Sequence, residues 1–496
     1  MRYFKTEDTF VGSIDIAKIE FDLKSRDEIP KVLIGLQYVY CNEKIREEIF
    51  GKLQEVIPAT VSVSNGRPGM DFWKILVLAI LRLNCNWDYD KLKEMADNHL
   101  SLRLMLGHGR MDDTRYPLQT IKDNVKLFSP SVLKELNTII VKSGHDLIKK
   151  KDEKLRGSCD SFVVESNIHF PTDLNLLYDA VRKLVSFIAL VFAKLSHTIW
   201  RQKKYNIKKL KKLIRKLQNM KRSTSQNEEK KAKRITEIKS ACREILDYAN
   251  ELIYKALSCI ESLKENIEVA GFQKELNSAE AFSIDAIRQV DQIKRRVILG
   301  EVIPHNQKVF SIYESYVEWI VKGKAGTPQE LGLMVCIFKD QFGFLLNHEI
   351  MKKKVDKDIA VPFTEETQKL FPDLVSGSFD KGFWSPENYT GLTKILNFVI
   401  LSKKGRLSKE DKERQNNQDF KNAKRKHSAV EASISALENH GLDKCNDRGE
   451  LSFERYVAFA VIGRNTQILG DLIQKRMIQK IKRSAVMKEA KLKNAA

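Results

Sequence analysis

A chain of 496 residues with 42% hydrophobic content is too long for one compact core and too apolar for a disordered polymer, so two to four globular domains are expected. Its formal charge of +21 predicts polyanionic partners, nucleic acid before acidic membrane. With no long apolar run, no signal-peptide pattern in Met1–Lys5 and seven scattered cysteines without a Cys-x-x-Cys pair, the sequence speaks against a spanning helix, a zinc site and a disulfide framework, and for a reduced cytoplasmic protein.

Residues 26–150 read as helical, within a region 1–150 assigned to DNA binding or dimerisation. Ile75–Leu83 is apolar on every side, as in a buried helix, and follows the turn-rich Asn65–Gly69. Tyr89–Leu100 and Leu102–Leu106 continue the pattern before Gly107-His-Gly. Short helices joined by glycine turns in a basic chain fit a helix-turn-helix reader or an ordinary bundle.

The period changes at residue 158. Phe162, Val163, Val164, Ile168 and Phe170 favour a strand or hairpin that Pro171 closes, and residues 151–173 are read as the first part of an α/β core. Asp160 opens this stretch. A carboxylate at a buried strand is costly unless it is paired or binds metal, although a turn residue or helix cap is the bland alternative.

From residue 174 to 300 the heptad spacing predicts a long helical hairpin insertion: Leu174, Leu177, Val181, Leu184, Ile188, Val191 and Leu195, then Ile207 to Leu217, then Ile235 to Cys259. The polar stretch 223–227 reads as its tip. Lys and Arg crowd both arms, as a solvated face or as a phosphate-binding stripe.

Residues 301–445 are read as the remainder of the core. Val309–Ile320 is β-like; Leu333–Phe338 and Phe344–Glu349 form a hairpin about Lys339–Gly343. A helix is predicted over Thr364–Phe371 and a strand over Asp373–Asp380. Lys403–Lys426 is charged without a periodic core and reads as a flexible or DNA-facing connector. His427–Glu438 is helical, with Val430, Ile434 and Leu437 on one face, Glu431 beside them and Asn439-His-Gly441 as a glycine cap. A last helix spans Phe453 to about Ile481 within a C-terminal region 446–496 that ends in a basic tail. Strand content thus brackets a helical block: α/β, mostly helical overall.

Asp160, Asp380 and Glu431 are the carboxylates in the most suggestive settings. Among rivals, Glu165 shares the first block, Asp173 suits a helix cap, Asp340 a hairpin turn, and Glu454 opens the last helix. His169 suits packing or hydrogen bonding. Trp319, Phe383 and Trp384 suit core packing or stacking on a flipped base.

The block from Asp160-Ser-Phe-Val-Val-Glu-Ser-Asn through Leu177 resembles the first-aspartate block of bacterial insertion-sequence DDE transposases of the ISNCY-like group. Ser378-Phe-Asp-Lys-Gly-Phe-Trp-Ser-Pro-Glu-Asn is similar to their second-aspartate block, and Lys424 through Leu442 to the block with the final glutamate. Gly66–Met70, Tyr116–Val125 and Gly449–Gly470 agree as well, in the family's order. The resemblance implies a ribonuclease-H-like catalytic core interrupted by the helical insertion, with Asp160, Asp380 and Glu431 holding Mg²⁺ or Mn²⁺, two ions in all. It implies cleavage of double-stranded DNA at element ends and transfer of the 3′ hydroxyl to a target, by a homodimer in a synaptic complex at the bacterial nucleoid. Related groups carry arginine four residues before the glutamate and lysine seven after; His427 and Glu438 stand there. Phosphate positioning then falls to His427, Lys424 or Lys426, with Arg67 and Lys381 as further DNA contacts. An inert DNA-binding derivative, and a nuclease or recombinase with the same core, are the alternatives.

Overall fold

A computed structural model describes residues 15–56, 69–222, 227–264, 271–321 and 329–495. The chain divides into two compact units, one built from residues 1–167 and 318–496, the other from 168–317. The boundaries fall at 167/168 and 317/318, where the sequence placed them near 173 and 300.

The first unit opens with α1 (Glu28–Cys41), α2 (Glu43–Gln54), α3 (Phe72–Asn84), α4 (Tyr89–Asn98), α5 (Leu100–Met105), α6 (Leu118–Val125) and α7 (Pro130–Ile148). Local chemistry sets several starts: Asp71 accepts from the amides of Trp73 and Lys74, and Ser129 caps α7 with Pro130 in the first turn. As its all-round apolar pattern predicts, α3 is buried over its whole length except Lys74. β1 (Leu155–Ser166) follows.

The second unit holds α8 (Asp173–Lys194), α9 (Lys203–Lys221), α10 (Glu228–Lys264) and α11 (Gln273–Ile293). The heptad residues Leu174, Leu177, Val181, Leu184, Ile188 and Val191 join Leu210, Ile214, Leu217, Cys242 and Ile245 in one buried cluster. Residues 223–226, the expected hairpin tip, lie outside the described residues.

The first unit resumes with β2 (Glu318–Val321), β3 (Gln329–Asp340), β4 (Leu345–Met351), α12 (Asp356–Leu370), β5 (Leu374–Phe379), α13 (Pro386–Ile395) and β6 (Phe398–Leu401). After these come α14 (Lys409–Asn416), α15 (Gln418–His427), α16 (Ala429–Leu437), the two-residue β7 (Lys444–Cys445) and the long α17 (Glu450–Ala495). The sheet is mixed. β1 lies at its centre, antiparallel to β3 and parallel to β5; β4 pairs antiparallel with β3, and β6 parallel with β5. Phe338, Phe363 and Phe379 form an aromatic layer where α12 meets the sheet, while α15 packs on β5 and β6 and α16 on β1.

The helices of 1–150 pack with the sheet unit through α17, which contacts α1, α3 and α7. At the α1–α17 crossing a Cβ on Gly470 would lie 1.8 Å from the Lys31 carbonyl, so only glycine permits that approach. Asn465 of α17 donates to the Leu345 carbonyl at 2.8 Å and to Asn137 of α7 at 2.7 Å, tying both helices to β4.

Three local expectations need correction. Only Glu318–Val321 of the β-like 309–320 segment is a strand. Lys403–Lys426 is no structureless connector: Ser408 caps α14 by accepting from Asp411 N, and Phe420 anchors α15 in the interior. α12 starts at Asp356, well before Thr364, because Pro362 is accommodated inside the helix.

Candidate active site

β1 and β5 run parallel with Cys159 opposite Phe379, so the next residues, Asp160 and Asp380, occupy neighbouring positions on adjacent strands. Strand spacing of about 4.8 Å sets the separation of such backbones. Asp380 follows the last residue of β5 and caps a single helical turn, Lys381–Phe383, in which Phe383 is buried. Its carboxylate is exposed, and accepts a long 3.5 Å contact from Gly382 N. Asp160 is half-buried and accepts from Ser161 N at 2.8 Å.

Glu431 arrives from the other end of the chain. Val430, Ile434 and Leu437 bury one side of α16 and leave Glu431 exposed in its first turn. α16 is also tied to β3, since Lys339 Nζ donates to the Ala429 carbonyl at 2.7 Å.

The Asp160 carboxyl is pushed up to about 6, first by burial and then by the negative charges of Asp380, Asp356 and Glu431. Asp380 and Glu431, both singled out from the sequence, thus each act electrostatically on Asp160. With it they form an open cluster: among the described residues, no three carboxylate, imidazole or thiolate groups are close enough to enclose a single ion.

Asp356 is the member that sequence reasoning missed. It begins α12, accepts from Ser161 Oγ at 2.6 Å, and lies so close to the Asp380 turn that a Cβ on Gly382 would come within 2.6 Å of its Oδ2. The one signal available was Ser161, a hydroxyl next to Asp160 on the opposite face of the strand.

His427 closes α15 rather than opening the next helix. Its Nδ1 lies 3.0 Å from Ser378 Oγ, which donates to Ser158 Oγ at 2.8 Å, so the imidazole is anchored two residues before each aspartate. Burial lowers its proton affinity, against the opposing pull of Asp380 and Glu431; Lys424 adds to the lowering. Lys424 and Lys426 are exposed in the last turn of α15, and Lys381 is exposed in the turn after Asp380. Arg67 lies outside the described residues.

The rivals are engaged elsewhere. Glu454 pairs with Lys352 at 2.5 Å. Asp340 accepts from the amides of Phe342 and Phe344 in the β3–β4 turn and from His145 at 2.6 Å. Glu165 faces Lys444 of β7 across the ladder. Thr172, not Asp173, caps α8, and Asp173 pairs with Arg296 at 2.8 Å. His169 lies 3.4 Å from Asp179. Trp384 tilts against Tyr389 beneath the Arg414 guanidinium, and Trp319 is half-buried on β2.

No known protein family, curated protein or solved structure matches the chain. Among the described residues, no helix is long and apolar enough to cross a membrane.

Proposed function

We propose that this chain is a metal-dependent DNA transposase of the DDE type, with Asp160, Asp380 and Glu431 as its metal-binding carboxylates. The observation that carries the reading is that Asp380, one residue past the parallel neighbour of β1, and Glu431 of α16 both act electrostatically on Asp160 of the central strand. The mixed sheet order, with Asp160 in the centre and a helix carrying Glu431 over β1, is the arrangement a ribonuclease-H-like core would use.

The donor set fits a hard divalent cation. All the groups are carboxylates, the type Mg²⁺ and Mn²⁺ prefer; burial, and then repulsion from its acidic neighbours, raises the proton affinity of Asp160, and a dication would relieve the repulsive part. When bound, a pair of such ions supplies Lewis-acid activation of the attacking and departing oxygens of a phosphodiester. The chain's own part is positional. β1 and β5 fix the two aspartates, α16 swings Glu431 over them, and the Ser158–Ser378–His427 chain holds an imidazole beside the cluster. The exposed Lys381, Lys424 and Lys426 would meet the DNA phosphates flanking the scissile bond. Two element ends brought together would require a homodimer.

The test is cleavage of a labelled duplex carrying the DNA that flanks the gene, with Mg²⁺ and purified protein. Asp160→Ala, Asp380→Ala and Glu431→Ala should each abolish cleavage and strand joining while keeping DNA binding. Binding without cleavage by the unaltered protein would point to an inert DNA-binding derivative, and cutting without joining to a nuclease.

A further inference from the structure

A strongly one-signed stretch lies on α9 of the helical unit. Residues 201–222 contain eleven Lys and Arg and no Asp or Glu. Leu210, Ile214 and Leu217 are buried against the rest of the unit, and Lys204, Lys208, Lys212 and Arg215 are exposed on the opposite side. At 1.5 Å per residue this stripe extends about 16 Å. Among the described residues none of these four side chains forms an ion pair.

A solvated helix face ordinarily mixes signs. The neighbouring α10 does so, interspersing Glu228, Glu229, Glu237, Glu244, Asp247 and Glu251 among its lysines and arginines. On α9, like charges stand four apart (Lys204 and Lys208, Lys208 and Lys212), which disfavours the helix. The flanks of α9 are steadied by tyrosines: Lys209 sits over the Tyr248 ring at 4.2 Å and Lys211 over Tyr178 at 5.5 Å. The crest between them carries no acidic residue, and its charged side chains are all cations.

We infer that the α9 crest is a docking surface for the sugar–phosphate backbone of duplex DNA. Its linear row of cations complements a backbone that carries one charge per about 1.7 Å of duplex axis. An acidic bilayer fits less well, because the apolar side of α9 is consumed in the core of its unit and offers nothing to insert between lipids. The choice of DNA among polyphosphates rests on the proposed transposase reading; the cationic surface does not.

The full-length protein carrying Lys204→Gln, Lys208→Gln, Lys212→Gln and Arg215→Gln together tests this, against a control in which Lys480, Lys482 and Arg483 of α17 become Gln. Fluorescence anisotropy with a 40-base-pair duplex, in EDTA and at several salt concentrations, needs no catalysis, so it stays independent of the active-site assignment. The α9 variant should bind at least about tenfold more weakly at near-physiological salt, and its log–log salt slope should shrink by about 3 to 4. It should keep the helical circular-dichroism signal of the unaltered protein. An unchanged slope, or the same loss in the α17 control, overturns the inference. So does retained duplex binding together with lost sedimentation on phosphatidylserine vesicles.

Discussion

Asp160 and Asp380 each stand one residue beyond the Cys159–Phe379 pair of two parallel strands, so the sheet register sets their neighbouring backbone positions. With metal absent, burial of the Asp160 carboxylate, and then the negative charges beside it, opposes folding. The Asp160 carboxyl titrates near 6 in the folded chain against 3.8 in an exposed one, so the folded form holds the extra proton between those values. Metal-free stability should therefore fall as pH rises from about 4 to 6 and stay low above it, by roughly 2–3 kcal/mol. Asp160→Asn should remove that loss and melt higher than the unaltered protein at pH 7.5 in EDTA, while losing cleavage. A variant that melts lower at pH 7.5 would count against the clustered carboxylates.

Asp356 bears on the same electrostatics through Ser161 and the Gly382 turn. Asp356→Asn should leave the fold intact, lower the titration point of Asp160 and raise the Mg²⁺ concentration needed for half-maximal cleavage several-fold. A Mg²⁺ titration reads this directly, and an unaltered midpoint would remove Asp356 from the site.

His348 predicts the acid limb of stability. It is buried on β4, its Nδ1 has no hydrogen-bond partner among the described residues, and burial pushes its titration down to about 3. The unfolded chain takes up this proton below about 6.5, so stability should drop as pH falls from there, by about 1.4 kcal/mol per unit from this one group. His348→Leu should therefore gain more in melting temperature at pH 4.5 than at pH 7. Equal differences at the two pH values would refute it.

Arg82 should be among the costliest residues to remove. It is 3% exposed, makes a two-pronged pair with Asp447 at 2.7 and 2.9 Å, and lies 3.7 Å from the Tyr89 ring centre. Arg82→Ala strands the Asp447 carboxylate and leaves a gap beneath Tyr89; a loss of about 3–5 kcal/mol is expected from urea unfolding. Arg82→Met combined with Asp447→Leu should lose less than Arg82→Ala alone.

The strands were legible because Phe162–Val164 and Leu333–Phe338 concentrate β-branched and aromatic residues between turn formers, and a sheet cannot hide that composition. The buried face of α8 was legible for the equivalent reason, its heptads being long enough to show their period. Two things were not. Lys403–Lys426 lacks an apolar stripe, and its helices depend on a cap at Ser408 and one anchor, Phe420, whose burial is a tertiary fact. Asp356 starts a helix just after Lys352–Lys354 and Val355, and Pro362 inside that helix reads as a breaker in the sequence. Nothing local to it reports that Ser161 lies against it in space.

Residues 168–317 separate β1 from every other strand of its sheet. During translation β1 must wait, unpaired, while the whole helical unit is made and folds, and the α17 spine that fastens α1, α3 and α7 is translated after every other element. Prematurely terminated polypeptides would thus carry the α9 crest and Asp160 but neither Glu431 nor that spine. If the α9 crest holds DNA and the acidic cluster cuts it, as proposed, such fragments would bind without cutting and compete with the finished protein.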